Sequence, residues 1–293
     1  MQAESVLTVP ETIPINSEVL RFDDVSLHFG DVPALDHFSL TMRAGETCIV
    51  FGAAGAGKTM LLKCAVGLVE PDSGRIELFG EEITHRKESD LYDIRSKVGI
   101  LFQEGGLFDS LTIAENVAYP LVNQRSLHLK GHPQMDEAEI DKRVREALRF
   151  VELEGTMDKF PSELSGGMRR RVGIARATVT EPPLVLYDSP TAGLDPITAN
   201  TIVTLIVKER DLRNAAAIMV THRYQDGHLM ANFRYNPNSG RIEAVSHDGS
   251  GEIQVNTRFL VMNEGRLVFE GSEPELQASA DPYVRKFVKK PNS

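Results

Sequence analysis

Gly52-Ala53-Ala54-Gly55-Ala56-Gly57-Lys58-Thr59 stands between the run Thr47-Cys48-Ile49-Val50-Phe51 and a stretch of helix formers that begins near Lys58. The run is continuously apolar after its first residue and suits a central strand covered on both faces. The spacing is G-x-x-x-x-G-K-[ST], set from strand to loop to helix as that motif requires. Its glycines let backbone N–H groups turn inward around a phosphate, and the helix N-terminus adds partial positive charge. Lys58 is expected to reach the β- and γ-phosphates and the Thr59 hydroxyl to bind Mg²⁺. A chance glycine-rich turn is the bland alternative, and the flanking strand and helix weigh against it.

Upstream, residues 19–50 alternate apolar and polar in short runs broken at Gly30-Asp31 and Ala44-Gly45, which reads as a half-buried sheet. Downstream, residues 70–84 give short strands around Pro71-Asp72-Ser73-Gly74. From about Ser89 the pattern turns helical and charged. Ile140, Val144, Leu148 and Val151 share one helical face, and 90–165 is expected to be a helical lobe. A second buried strand, Leu184-Val185-Leu186-Tyr187, runs into Asp188 and then to a helix capped by Asp195 with Pro196 at its first position. A third strand, Ala217–Thr221, ends at His222. Strands alternating with helices predict a mainly parallel, doubly wound α/β sheet with ligands at the carboxyl ends of the strands. Residues 226–256 read as β-hairpins around Asn236-Pro237-Asn238-Ser239-Gly240 and the following turn. Strands resume through Phe259–Met262 and Arg266–Phe269, and 276–293 is expected to be a helical tail.

The chain has 293 residues, 41% of them hydrophobic, with 32 basic against 42 acidic residues, a net charge of −10. This balance argues against non-specific binding to nucleic acid or anionic headgroups. It leaves docking on a membrane protein open. No stretch approaches the ~20 apolar residues needed to cross a bilayer. Residues 1–18 lack a basic segment followed by an apolar one and read as a polar tail, so a cytoplasmic location is expected. Cys48 and Cys64 lie in apolar runs without metal-like spacing and read as buried, reduced thiols.

Asp188 ends its strand where a carboxylate can hold Mg²⁺ through water once a phosphate loop lies upstream. Leu164-Ser165-Gly166-Gly167-Met168 opens a basic helix, and its small residues offer backbone N–H groups to an anion. The LSGG segment, the Asp188 strand and Pro190-Thr191-Ala192-Gly193-Leu194-Asp195-Pro196 follow one another as in ABC ATPases. Gln103 resembles the glutamine of that family's Q-loop, His222 its switch histidine, and Phe29 the aromatic that stacks on adenine. Alone, these three would read as a surface polar residue, a structural hydrogen-bonder and a core aromatic. The resemblance covers about residues 19–225 and 257–275. It implies a P-loop nucleotide-binding domain over 19–275, with an antiparallel β subdomain and an inserted helical subdomain. It further implies ATP held by Phe29, residues Gly52 to Met60 (with Ala53, Ala54, Gly55, Ala56 and Gly57), Gln103 and Asp195. Ser165, Gly166 and Gly167 would come from a second copy in a head-to-tail homodimer. Mg²⁺ would be held by Thr59, Gln103 and Asp188. Lys58, Gln103, Asp188, Ser189 and His222 would carry the chemistry.

Residues 101–112 (LFQEGGLFDSLT) and 115–121 (ENVAYPL), with PSELSGGMRRR, GLDPIT and DPYVRKFV, resemble more narrowly the ATPase subunit of MCE-type phospholipid transporters. That likeness implies integral-membrane permease subunits, an MCE substrate-binding protein, and a peripheral place on the inner membrane. Two features depart from the family. Residue 189 is Ser where a Glu normally activates water, with Asp195 the next carboxylate along the chain, and 226–256 is longer than the usual helix. Rival readings are an ATP-binding regulatory clamp with little hydrolysis and a soluble ABC protein. Ser189 keeps the first open, and a lone cassette without heptads weighs against the second.

Overall fold

A computed structural model describes residue 14 and residues 17–126, 135–245 and 256–288 of the chain. Most of the expected polar tail, 1–13 with 15 and 16, lies outside the described residues.

The chain opens with strands β1 (Glu18–Phe29), β2 (Val32–Arg43) and β3 (Thr47–Gly52). Helix α1 (Lys58–Ala65), strands β4 (Ser73–Leu78) and β5 (Glu81–Glu82), the short helix α2 (Tyr92–Arg95) and strand β6 (Val98–Leu101) follow. Helices α3 (Ile113–Ser126), α4 (Glu137–Phe150) and α5 (Gly166–Thr178) lead to β7 (Leu184–Asp188), α6 (Pro196–Arg213) and β8 (Ala216–Val220). The last elements are α7 (Tyr224–Asn232), β9 (Phe233–Asn236), β10 (Arg241–Ala244), β11 (Thr257–Asn263), β12 (Arg266–Gly271) and α8 (Glu273–Ala278).

Six strands form the central sheet in the order β12-β11-β3-β8-β7-β6. All neighbours are parallel except the edge pair β11 and β12. A separate antiparallel sheet runs β2-β1-β4-β5. The period of two along a strand sends alternate side chains to opposite faces. Ile49, Phe51, Val185, Tyr187, Ala217 and Met219 therefore face a core shared with α3 to α6. Cys48, Val50, Leu184, Leu186, Ile218 and Val220 face a second core under α1 and the antiparallel sheet. Both cysteines are free and buried, and burial pushes their thiols up to about 12.

Three expectations need correction. The lobe expected over 90–165 contains β6, which pairs with β7 and belongs to the central sheet. Its helical part is α3 and α4, with Ile140, Val144 and Leu148 buried along α4 as the periodicity required. Within 226–256, residues up to Asn232 continue α7, which buries Asp226, Gly227, Leu229 and Met230. The hairpin comes after it, β9 against β10, and 246–255 lie outside the described residues. The tail expected as one helix over 276–293 is α8, capped by the Ser272–Glu275 box, and a 3-10 turn at Val284–Lys286. Residues 289–293 lie outside the described residues. Among the described residues, no helix is long and apolar enough to cross a membrane.

Candidate functional site

The loop from Gly52 to Gly57 joins β3 to α1 at the carboxyl edge of the sheet. Gly57 has φ +97°, and a Cβ there would stand 2.0 Å from the Ala34 carbonyl oxygen, so only glycine fits. Gly55 is also left-handed, at φ +79°, with open space where a Cβ would point. That opening is the side from which a phosphate can approach the backbone. Ala53 and Ala54 are exposed beside it, whereas Ala56 is buried. Lys58 Nζ folds back to donate to the Gly52 and Ala53 carbonyls, both at 2.8 Å. Burial lowers the Lys58 pKa, and the Asp188 carboxylate opposes that shift. Met60 follows, half-buried, on the first turn of α1.

The strand order sets Asp188 across β8 from β3, and its carboxylate meets the same helix start. The Thr59 hydroxyl donates to Asp188 Oδ2 at 3.0 Å, and the Ser189 hydroxyl donates to Oδ1 at 3.1 Å. Ser189 has φ +52°, an uncommon value for a residue with a Cβ. Its N–H is tied to the Val220 carbonyl at 3.0 Å, and its own carbonyl accepts from Ala192 N–H at 3.1 Å. Both backbone groups are thus fixed, and the hydroxyl points back at Asp188.

Asp195 caps α6, accepting from the N–H groups of Ile197 (3.1 Å) and Thr198 (3.0 Å). Hydrogen bonds from the Thr198 hydroxyl and backbone hold its carboxyl below the usual carboxylate range. A carboxylate so engaged is a weakened base, which argues against it as a stand-in at position 189.

Gln103 follows β6 in a 3-10 turn and is exposed. Helix α5 grips that turn from behind: Arg176 Nη2 donates to the Gly105 carbonyl at 3.0 Å. A Cβ on Gly173 would collide with Leu101 at 2.5 Å, so the helix and the turn touch at a glycine. His222 follows β8 and is exposed. Phe29 ends β1 and is 57% exposed. The approach of Ala34 to Gly57 brings its hairpin alongside the phosphate loop. Ser165 caps α5, its hydroxyl accepting from Met168 N–H at 3.3 Å, and Gly166 and Gly167 form the first turn. Lys58, Thr59, Asp188 and Ser189 therefore meet in one cluster. Gln103 and His222 follow β6 and β8 at the same sheet edge. Ser165 to Gly167 open the helix beyond the helical lobe.

One residue escaped the sequence reading. Asp226 is fully buried, and its Oδ2 accepts from the Thr191 hydroxyl (2.5 Å) and the Thr221 hydroxyl (2.7 Å). Arg223 pairs with Oδ1 at 3.2 Å. Burial raises its pKa, opposed by those same partners. It ties the segment after β7 to the segment after β8, on either side of Ser189 and His222. The available signal was an acid four residues past His222 in a stretch read as hairpin.

A phosphate loop, an acid at the end of the next strand but one and a capped LSGG helix that follows the helical lobe define a nucleotide-binding cassette. A family model described as ABC transporter matches residues 35–192. The chain belongs to that family, as an ATP-binding subunit of an ABC transporter. It is 34% identical over 265 residues to the intermembrane phospholipid transport system ATP-binding protein MlaF of Escherichia coli, covering 90% of this chain and 86% of that one. It is 39% identical over 203 residues to the probable ribonucleotide transport ATP-binding protein mkl of Mycobacterium tuberculosis, covering 69% of this chain and 54% of that protein. Among solved structures, the dimeric bacterial ABC transporter cassette MJ0796 is similar with a TM-score of 0.69 at 27% identity, covering 86% of this chain and 98% of that one.

Proposed function

We propose that this chain binds ATP with Mg²⁺ and couples it to phospholipid movement through an integral-membrane permease, as one half of a homodimer. The observation that carries the ATP site is the contact of Thr59 with Asp188 at the mouth of a loop whose geometry only glycine allows. Hydroxyl and carboxylate oxygens are the hard donors that suit Mg²⁺, which also draws on phosphate oxygens and water. Among the described residues, no group of three or more His, Cys, Asp or Glu side chains could hold a metal. When bound, the ion supplies positive charge to the phosphates; Lys58 supplies the rest. Gln103 and His222 would meet the terminal phosphate from neighbouring strand ends, Gln103 also completing the metal's ligands. Phe29 would stack on the base. Ser165, Gly166 and Gly167 would close the site from the second copy, where Asp195 of each copy also faces the junction.

Two observations support the membrane partner. MlaF matches most of both chains. The segment around and after Gln103 also presents Phe102, Phe108 and Tyr119 to solvent, each 40–42% exposed, with Phe108 and Tyr119 rings 4.7 Å apart. Asn116, fully buried, makes this surface rigid: its Nδ2 donates to the carbonyls of Phe108, Leu111 and Thr112 at 3.0–3.1 Å. Grouped exposed aromatics mark interaction surfaces, and this one fits a permease's cytoplasmic helix. An MCE protein would then complete the assembly across the membrane, and this chain would lie on the cytoplasmic side of the inner membrane.

The test is reconstitution with the permease in vesicles carrying a fluorescent phospholipid. ATP should drive movement of the lipid, and Lys58→Ala should abolish both that movement and ATP binding measured by calorimetry. Undiminished ATP affinity in Lys58→Ala would refute the site, and ATP binding without any lipid movement would refute the cargo. A second reading, a clamp that binds ATP and hydrolyses it little, is favoured by the Ser189 hydroxyl, which points to Asp188 and brings no base.

A further inference from the structure

Tyr283 lies in the segment after α8, and its hydroxyl reaches the phosphate loop. It accepts the Ala53 N–H at 3.1 Å and donates to the Met262 carbonyl at 3.1 Å. Met262 stands opposite Gly52 in the pairing of β11 with β3, so the hydroxyl sits where those two strands end. The Ala53 N–H and the Gly52 carbonyl belong to one planar peptide unit. That unit's carbonyl is one of the two that accept the Lys58 ammonium, at 2.8 Å. One rigid plane thus takes a hydrogen bond at each end, Tyr283 on its N–H and Lys58 on its oxygen. Rotation of the plane would move the lysine's anchor.

The ring that carries this hydroxyl is itself held. Asp281 Oδ1 accepts the N–H groups of Tyr283 (2.7 Å) and Val284 (3.3 Å), and Val284 is buried. Phe287 packs edge-on against Tyr283 at 5.3 Å and stacks at 6.1 Å on Phe51, the residue just before the loop. The segment 281–287 is therefore a brace built on β3 and closed by one hydroxyl.

We propose that Tyr283 is a positioning residue for nucleotide binding: its hydroxyl fixes the Gly52–Ala53 peptide, and through it the resting place of Lys58, so that the loop is preset for phosphate. The inference rests on the reading of this loop as the ATP site. A preset site avoids ordering the loop when ligand arrives, which is where affinity is gained.

Tyr283→Phe removes the hydroxyl and keeps the ring. Its ATP affinity by calorimetry should fall roughly three- to tenfold, up to one decade at ~1.4 kcal/mol per decade. Hydrogen exchange should quicken in the peptide spanning Gly52 to Ala56 in the nucleotide-free protein. In turnover, KM for ATP should rise while kcat stays within twofold. Lys286→Met, which removes the ammonium 5.2 Å above the same ring, should leave ATP affinity at the parent value. An ATP affinity for Tyr283→Phe within twofold of the parent, whatever its melting temperature, overturns the proposal. So does an equal loss in Lys286→Met, because that would mean general loosening of the segment. If the parent chain itself binds no ATP, or Lys58→Ala binds it as well as the parent, the reading of the site fails instead.

Discussion

In the proposed site, Ser189 would occupy the point where a base is needed. A serine hydroxyl does not take a proton from water at neutral pH, and this one is spent on Asp188 at 3.1 Å. General-base assistance contributes ~10²–10⁴-fold, or about 3–5 kcal/mol of barrier. Slow basal hydrolysis and a long-lived ATP-bound state are the expected behaviour. Ser189→Glu should raise the turnover rate at least tenfold and change ATP affinity little, as phosphate-release kinetics and calorimetry on both proteins would show. Parent turnover that Glu does not improve would remove the argument. The backbone there is ready for the change: the strained φ of +52° belongs to the turn, which Ser189 N–H and carbonyl hold through Val220 and Ala192, and does not depend on the side chain. The chemistry at this position was legible in the sequence because it is a matter of one side chain after a strand. The partner of that side chain was not, since it follows from the left-handed turn.

At the scale of elements, the sequence carried what neighbouring residues decide. The Asp195 cap with Pro196, the helix start at Ser165-Gly166-Gly167 and the buried face of α4 are all local signals, and each stands where the spacing put it. Elements whose identity depends on distant partners were harder. The four residues of β6 are too few to show a period, and only β7 makes them a strand. Seven of the nine residues of α7, from Asp226 on, fell in the segment read as hairpins because Asn, Pro and Gly crowd the turn after it. Asp226 and Met230 show what that misreading would cost in an experiment. A Gly/Ser link replacing 226–256 removes a buried acid that holds Thr191 and Thr221, and a buried methionine whose truncation alone costs ~2–5 kcal/mol. A link replacing only 237–255 leaves α7 intact, with Tyr235 N–H still on Asp211 at 2.7 Å. The long deletion should therefore lower the melting temperature sharply, and the short one should keep both melting temperature and ATP affinity near the parent. Loss of ATP affinity in a folded short-deletion protein would place the hairpin in the site.

At the scale of the molecule, the proposed head-to-tail pairing would draw half of each nucleotide site from a second copy. Ser165 is exposed at the N-terminal end of α5, and Gly166 and Gly167 form the first turn behind it. A head-to-tail pair would set that tip over the loop of the partner. ATP with Mg²⁺ should therefore drive dimerisation, and Ser165→Arg should block it by steric bulk at the junction. The lost cap costs only ~1 kcal/mol, so the variant should remain folded. Sedimentation with and without nucleotide reads the outcome, and an oligomer indifferent to ATP in both proteins would rule the arrangement out.

The placement of β3 between β8 and β11 has a consequence for how the protein is made. Strand β3 is finished at Gly52, yet its two neighbours begin only at Ala216 and Thr257. At ~5–20 residues per second, roughly 10–40 s separate the appearance of the loop on the ribosome from that of its last flanking strand. Through that interval the apolar edge of Cys48 to Phe51 waits without its hydrogen-bonding partners, exposed to any other nascent strand. The most chemically specialised segment of the chain is among the first synthesised and the last completed, and its survival depends on what shelters it in between.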